Sequence, residues 1–210
     1  MIDLYTWTTP NGRKVSIMLE ECGLAYKTHA INIGKDEQFT PEFIAINPNS
    51  KIPAIIDAEG DNGKPLSIFE SGAILIYLAQ HYQKFLAPDW HQLYHVIEWL
   101  MFQMGGVGPM FGQTHHFLRA AKEDVPYAIE RYKKETDRLY GVMDKELSQR
   151  DFLAGNMYSI ADIATYPWVA RYEWHKTDLN QFPNVKRWFD EIGKRPAVQR
   201  GMAAADRPAN

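Results

Sequence analysis

Lys51-Ile52-Pro53-Ala54-Ile55-Ile56-Asp57 is a β-branched run that begins on a proline. Proline cannot donate to a sheet ladder, so it belongs at the first residue of a strand. The run is therefore read as a strand from Pro53 to Asp57. Only about 5% of X–Pro bonds in folded proteins are cis, and the loop-to-strand position of Ile52-Pro53 favours that form. A cis bond would leave the amide and carbonyl of Ile52 unpaired and facing a groove. Such a backbone can receive an extended peptide as an added strand.

Upstream, Ile2 to Trp7 is short, β-branched and aromatic, a strand. Thr8-Thr9-Pro10-Asn11-Gly12 is a turn cluster. Val15, Met18, Leu19 and Cys22 then fall at i, i+3, i+4 and i+7 of a helix that Gly23 stops. Tyr26 to Ile33 reads as a second strand. Downstream, Asp61-Asn62-Gly63 is a hairpin signal leading to a fourth strand at Pro65–Phe69. A helix from Ser71 to Tyr82 turns Ile74, Leu75, Leu78 and Ala79 inward. The order βαβ, a loop with a short helix, then ββα predicts a mixed four-stranded sheet with helices on its faces. This is the layout of the thioredoxin fold.

After Gln83-Lys84-Phe85-Leu86-Ala87-Pro88-Asp89, a linker, the period becomes helical and stays so. Ile129, Tyr132, Leu139, Met143 and Leu147 mark the core face of a long helix opened near Pro126. Ser159-Ile160-Ala161-Asp162 fits a capping box with Asp in the Glu role. Val185 to Ile192 is a further amphipathic piece, and Gly201 to Asn210 is expected to fray. The sequence thus predicts an α/β thioredoxin-like N-terminal domain over 1–82, a linker over 83–90 and an all-α C-terminal domain over 91–210.

Among the 210 residues, 23 are basic and 26 acidic, a formal net charge of −3. That balance speaks against a nucleic-acid footprint, which needs a basic excess on one face. The uncharged run Trp99 to Leu118 contains Gly105, Gly106, Gly108, Pro109 and Gly112. It is too polar and too broken for a lipid-facing helix, so no membrane partner is expected. The start Met1-Ile2-Asp3-Leu4-Tyr5 has no basic leader, and the cytoplasm is the expected location. His115 and His116 have no ligand set near them in sequence, so no metal is expected.

A thioredoxin-like redox enzyme carries its reactive thiol at the turn between first strand and first helix, where free amides and the macrodipole favour the thiolate. Here that turn is Thr9-Pro10-Asn11-Gly12 and has no sulfur. The single cysteine, Cys22, lies further along the helix on its apolar face and reads as a small buried hydrophobe. One cysteine also excludes an internal disulfide framework or a CxxC pair. If this fold performs thiol chemistry, the thiol must come from a bound small molecule.

Pro53 with Phe69-Glu70-Ser71-Gly72-Ala73-Ile74 resembles the glutathione-binding half of the glutathione transferases, and Ser159-Ile160-Ala161-Asp162 resembles their helical-half capping motif. Thr9-Pro10-Asn11-Gly12, Lys51-Ile52-Pro53-Ala54 and Gly105-Gly106-Val107-Gly108-Pro109-Met110, followed by Gln113 and His116-Phe117, narrow the likeness. They resemble the nu-class branch, bacterial glutathione-dependent disulfide-bond oxidoreductases related to a yeast nitrogen-regulator prion protein. The likeness runs from Met1 to about Pro196.

The resemblance implies glutathione as cosubstrate and assigns the residues. Ser71, opening a helix, would take a carboxylate with its hydroxyl and amide, and Glu70 the ammonium of the same γ-glutamyl head. The backbone of Ile52, before Pro53, would pair with the cysteinyl part. Gln38 and Lys51 would reach the glycyl carboxylate. Thr9 and Asn11 would be the catalytic pair, neutral donors that hydrogen-bond a thiolate without titrating. Each also has a purely local reading, Asn11 as a helix cap and Thr9 as the residue before a proline. Arg131 would bind glutathione carboxylates through its guanidinium, or else pair on its own helix with Glu135 at i+4. Tyr5 reads as a strand residue.

The implied activity is disulfide-bond reduction by bound glutathione thiols, in a homodimer, with a disulfide as the second substrate. One alternative is conjugation of apolar electrophiles, using Met104, Met110, Phe111, Phe117 and Trp168 as a pocket. A second is a glutathione-binding regulator without catalysis.

Overall fold

The structure is a computed structural model and describes residues 1–60 and 63–204; the hairpin signal at Asp61-Asn62 lies outside them. The chain divides into two units. The first holds Met1–Lys84 together with the segment from Lys194 onward, and the second spans Phe85–Gly193.

In the first unit, β1 (Ile2–Thr6) alternates buried Ile2, Leu4 and Thr6 with half-buried Asp3 and Tyr5, as a strand with one covered face must. It pairs in parallel with β2 (Tyr26–Ala30) and antiparallel with β3 (Ala54–Asp57). The fourth strand, β4 (Leu66–Phe69), runs antiparallel to β3, giving the order β2-β1-β3-β4. The mixed sheet expected from the sequence is thus present.

Two differences are local. β2 stops at Ala30 rather than Ile33, because Asn32 accepts from the Gly34 amide and starts a 3₁₀ turn at Ile33–Lys35. β3 starts at Ala54, one residue after the proline, and the Ile52-Pro53 bond is cis. A short helix, α2 (Pro41–Ile46), is capped by Thr40.

Helix α1 (Pro10–Cys22) ends on Gly23 at φ 71°, a left-handed cap that glycine adopts freely. It packs against α3 (Ser71–Tyr82), whose bounds match the expectation.

The C-terminal segment departs from expectation. Gly201 to Ala204 do not fray: residues Pro196–Ala204 form a helix (here α9) that packs along α1, while the rest of the stretch expected to fray, 205–210, lies outside the described residues. A Cβ on Gly201 would stand 2.4 Å from Ile17 Cα, so only glycine permits this approach. Ser16 Oγ donates to the Gly201 carbonyl at 2.6 Å. Arg195 grips Glu21 through both Nε (2.6 Å) and Nη2 (2.9 Å). The expected division at 91–210 therefore differs from the observed grouping at its far end.

The second unit is helical. Asp89 caps α4 (Trp90–Phe102), followed by α5 (Gly108–His115), α6 (Pro126–Leu147), α7 (Ile160–Val169) and α8 (Pro183–Gly193). The glycine-rich stretch is not broken. It continues from α4 to Ala120 through two π-helical turns, Gln103–Val107 and His116–Ala120. Pro109 lies where the first π-helical turn passes into α5, inside that continuous run.

The capping box at Ser159 is formed, and fully buried Asp162 also accepts from Leu153 N and Trp188 Nε1. Burial pushes its carboxyl up, against the pull of those hydrogen bonds. No helix among the described residues is long and apolar enough to cross a membrane.

Candidate functional site

Strand register decides which residues can meet. Tyr5 on β1 stands opposite Ala54 on β3, and Ala54 opposite Phe69 on β4. Because β3 runs against both neighbours, the end of β1, the start of β3 and the end of β4 share one end of the sheet. The turn carrying Thr9 and Asn11, the Lys51-Ile52-Pro53 corner and the Glu70-Ser71 step are therefore neighbours at that end. β2 is parallel to β1, with Thr6 beside Ala30, so the loop leading to Gln38 also leaves from there. The stretches that carry Thr9, Asn11, Lys51, Ile52, Glu70 and Ser71 thus gather at one end of one sheet.

At the start of α1, Thr9 is the N-cap and its Oγ accepts from the Gly12 amide at 3.2 Å. The local reading makes Asn11 the cap; Asn11 instead occupies the first turn of the helix, half-buried. Gly12 is required by close approach, since a Cβ would fall 2.2 Å from Thr6 Oγ1 and 2.5 Å from the Trp7 carbonyl. Tyr5 is a strand residue with its ring stacked on His29 at 4.6 Å. Burial pushes its phenol up, with Asp3 adding to the effect.

At the corner, Pro53 is buried and Ile52 half-buried, while Lys51 is exposed. Asn47 braces the turn by donating from Nδ2 to the Lys51 carbonyl at 2.6 Å. Gln38 lies in a 3₁₀ turn (Glu37–Phe39), its Nε2 3.4 Å from Asp36 Oδ1. Its Oε1 is buried without a hydrogen-bond partner among the described residues.

Glu70 precedes α3 with φ 67° and ψ 115°, a conformation non-glycine residues rarely adopt. Its carboxylate stays exposed while Ser71, the first helical residue, is buried. Backbone conformations of this sort cluster at ligand clamps and switch regions.

The sequence reading misses Lys14. It is buried on α1, and its Nζ donates to Ser71 Oγ at 3.2 Å. Burial brings its pKa down to about 7, with Glu70 pulling the other way. A signal is present: Lys14 stands three and four residues before Ile17 and Met18, on the inward face of the helix.

Cys22 is buried, and burial pushes its thiol up to about 11. It has essentially no thiolate at neutral pH.

In the second unit, Arg131 is an exposed residue of α6. Arg138 holds Glu135 through Nε (2.7 Å) and Nη2 (2.8 Å), and the Arg131 charge adds to the field that lowers the Glu135 carboxyl. Arg131 borders a cavity of about 770 Å³ with Met110, Tyr127, Tyr132, Glu135 and Arg138 among its walls. Of the apolar side chains considered as a pocket for electrophiles, Phe111 and Trp168 are buried in the helical core. His115 stacks on His175 at 4.4 Å and on Trp168 at 5.9 Å. Among the described residues no group of metal-ligating side chains is assembled.

Residues 8–81 match the glutathione S-transferase N-terminal domain and residues 109–196 the glutathione S-transferase C-terminal domain. The Escherichia coli protein named disulfide-bond oxidoreductase YfcG is 49% identical over 206 residues, 98% of this chain and 96% of that one. A glutathione transferase from Burkholderia graminis, solved with two glutathione molecules per subunit, is 47% identical with a TM-score of 0.93, over 99% of this chain and 89% of that one. A glutathione transferase from Pseudomonas putida, solved with one glutathione disulfide per subunit, is 47% identical with a TM-score of 0.92, over 96% and 90%. The chain belongs to the glutathione S-transferase family.

Proposed function

We propose that the protein is a glutathione-dependent disulfide-bond reductase in which glutathione, a substrate, supplies both reacting sulfurs. The observation that carries this reading is the sulfur-free start of α1. Thr9 and Asn11 offer neutral donors where a thioredoxin-like fold activates a thiol, while Cys22 is buried with its pKa raised to about 11.

In this reading Glu70 and Ser71 take the γ-glutamyl head, and the Ile52 backbone before Pro53 pairs with the cysteinyl part. Gln38 and Lys51 serve the glycyl carboxylate, and Arg131 adds a guanidinium for glutathione carboxylates. The residues fit a tripeptide in kind: an acid for its ammonium, donors for its carboxylates, and strand-like backbone for its amides.

Thr9 and Asn11 hydrogen-bond the thiolate and so lower the pKa of the bound thiol. Such donors contribute on the order of 2–4 kcal/mol each to stabilising charge in a preorganised site. The glutathione thiolate attacks one disulfide sulfur; a new S–S bond forms, the old one breaks, and the leaving thiolate takes a proton from solvent. A second glutathione thiolate attacks the glutathione sulfur of the mixed disulfide, releasing the other product thiol and forming glutathione disulfide. Two electrons pass from two glutathiones to the disulfide, and no protein cysteine changes oxidation state.

A cytoplasmic homodimer belongs to the same reading. Trp90, Tyr94 and Met101 form an exposed apolar stripe on α4, the kind of surface a symmetric partner covers.

The test is an assay of a small model disulfide with glutathione, coupled to glutathione reductase, run beside conjugation of a model aryl halide. Disulfide turnover is expected. Strong conjugation without disulfide turnover would overturn the reading in favour of a conjugating transferase. Glutathione binding with neither reaction would indicate a regulator.

A further inference from the structure

Lys14 is a cation in a place built for apolar side chains. It is 1% exposed, on a helix whose neighbouring residues Val15, Ile17, Met18 and Leu19 are fully buried. Removing an ammonium from water costs several kcal/mol unless charge and hydrogen bonds compensate. Methionine would fill much the same volume without that cost. The position of its charged end is therefore informative. Nζ lies 3.2 Å from Ser71 Oγ, at the first residue of α3, and the next residue back is Glu70.

We propose that Lys14 is a positioning residue for substrate recognition, orienting the Ser71 hydroxyl and supplying, from inside the fold, the positive charge that lets Ser71 receive the α-carboxylate of the γ-glutamyl group. The inference rests on the glutathione reading above. It concerns the amino-acid end of the substrate alone.

Three features of the site support it. The hydrogen bond from Lys14 occupies an acceptor position on Ser71 Oγ and so fixes how the hydroxyl points. The N-terminal end of the α3 dipole already favours an anion there, and a buried ammonium adds to the same field where water screens it little. Glu70, exposed beside Ser71, is placed for the ammonium of the same head group. The substrate's two charges thus meet opposite charges, Glu70 from the surface and Lys14 from the core. A lysine that only braced the helix start would be indifferent to whether the ligand carried an α-carboxylate.

That indifference is the test. Binding of glutathione and of 4-aminobutyryl-cysteinyl-glycine, which lacks only the α-carboxylate, is measured by titration calorimetry on the full chain and on Lys14→Met. Failure of the unaltered protein to bind glutathione would overturn the functional reading itself, a result distinct from any effect of the substitution. With binding established, Lys14→Met is expected to weaken glutathione about tenfold or more. It should change affinity for the decarboxylated analogue by no more than about twofold. In turnover the loss should fall on KM for glutathione rather than on kcat. Equal loss for both ligands, or no loss for glutathione, would overturn the proposal.

Replacing a buried charge by an apolar side chain of similar size is often neutral or stabilising, so the thermal midpoint should not fall. If Lys14→Met nevertheless fails to fold, Lys14→Gln makes the same comparison, because it keeps a donor for Ser71 and removes the charge. An undiminished preference of that variant for glutathione over the analogue would overturn the proposal as well.

Discussion

The hydroxyl oxygen of Thr9 accepts a hydrogen bond from the backbone N–H of Gly12 at 3.2 Å, which joins the start of α1 to the proposed chemistry. A threonine hydroxyl has one proton and two acceptor positions. Capping a helix uses an acceptor position, whereas stabilising a thiolate uses the proton. The capping role and the catalytic role are therefore compatible in one side chain. The cap is held close to the sheet because Gly12 has no Cβ to meet Thr6.

Thr9→Val removes cap and donor together, while Thr9→Ser keeps both. Thr9→Val is expected to lose about 1 kcal/mol of stability. It should also raise the pKa of bound glutathione, read from the ultraviolet absorbance of the thiolate against pH. Thr9→Ser should restore the titration. A Thr9→Val protein that titrates its bound thiol like the unaltered one would leave Thr9 as a helix cap and nothing more.

Asn11 and Cys22 make the complementary pair. Asn11→Ala should lower disulfide turnover by about tenfold or more, the scale expected for losing one donor to developing charge. Cys22→Ala should leave turnover nearly intact, because the thiol lies buried with its pKa raised to about 11. A large loss of turnover in Cys22→Ala would mean that a protein sulfur takes part after all.

The mixed four-stranded sheet is legible in the sequence because its elements carry local signals, namely β-branched runs, a turn cluster and a proline at a strand start, whereas the candidate site residues follow from the family resemblance. The features that escape it depend on long-range contacts. The glycines from Gly105 to Gly112 suggest a broken segment in isolation, yet the chain is helical there because the core around Val107 and Phe111 compensates for their poor propensity. Gly201 looks like the start of a frayed tail until its fit against Ile17 is known. Lys14 escapes notice because a lysine on a helix is ordinarily solvated, and only the placement of Ser71 reveals why this one is not. Thr9 rather than Asn11 takes the cap, since both residue types cap helices well and the sequence alone does not choose between them.

Gly201→Ala tests the contact between α1 and α9. A Cβ there would stand 2.4 Å from Ile17 Cα and 2.6 Å from Ile17 N, both backbone atoms that cannot move aside cheaply. An overpacked contact of this kind costs about 1–3 kcal/mol, even though alanine is the better helix former. Chemical unfolding should therefore show a lower midpoint for Gly201→Ala. An equal or higher midpoint would show that α9 is not pressed against α1 in solution.

The stacked histidines of the second unit predict an acid-sensitive stability. His175 is fully buried, its Nδ1 3.0 Å from Tyr140 Oη. Burial lowers its pKa to about 2, with the charges of His115 and Lys133 adding to the effect. Burial likewise lowers His115 to about 4, helped by Arg171 and Arg119. An unfolded histidine titrates near 6.5. Between that value and the folded ones, the unfolded state binds more protons, so stability is full above about pH 6.5 and declines as pH falls. One such histidine costs about 2 kcal/mol by about pH 5. The urea midpoint should drop between about pH 7 and about pH 5, and His175→Gln should flatten that drop while keeping a polar group for Tyr140. An equally steep drop in a folded His175→Gln protein would move the acid sensitivity to other groups.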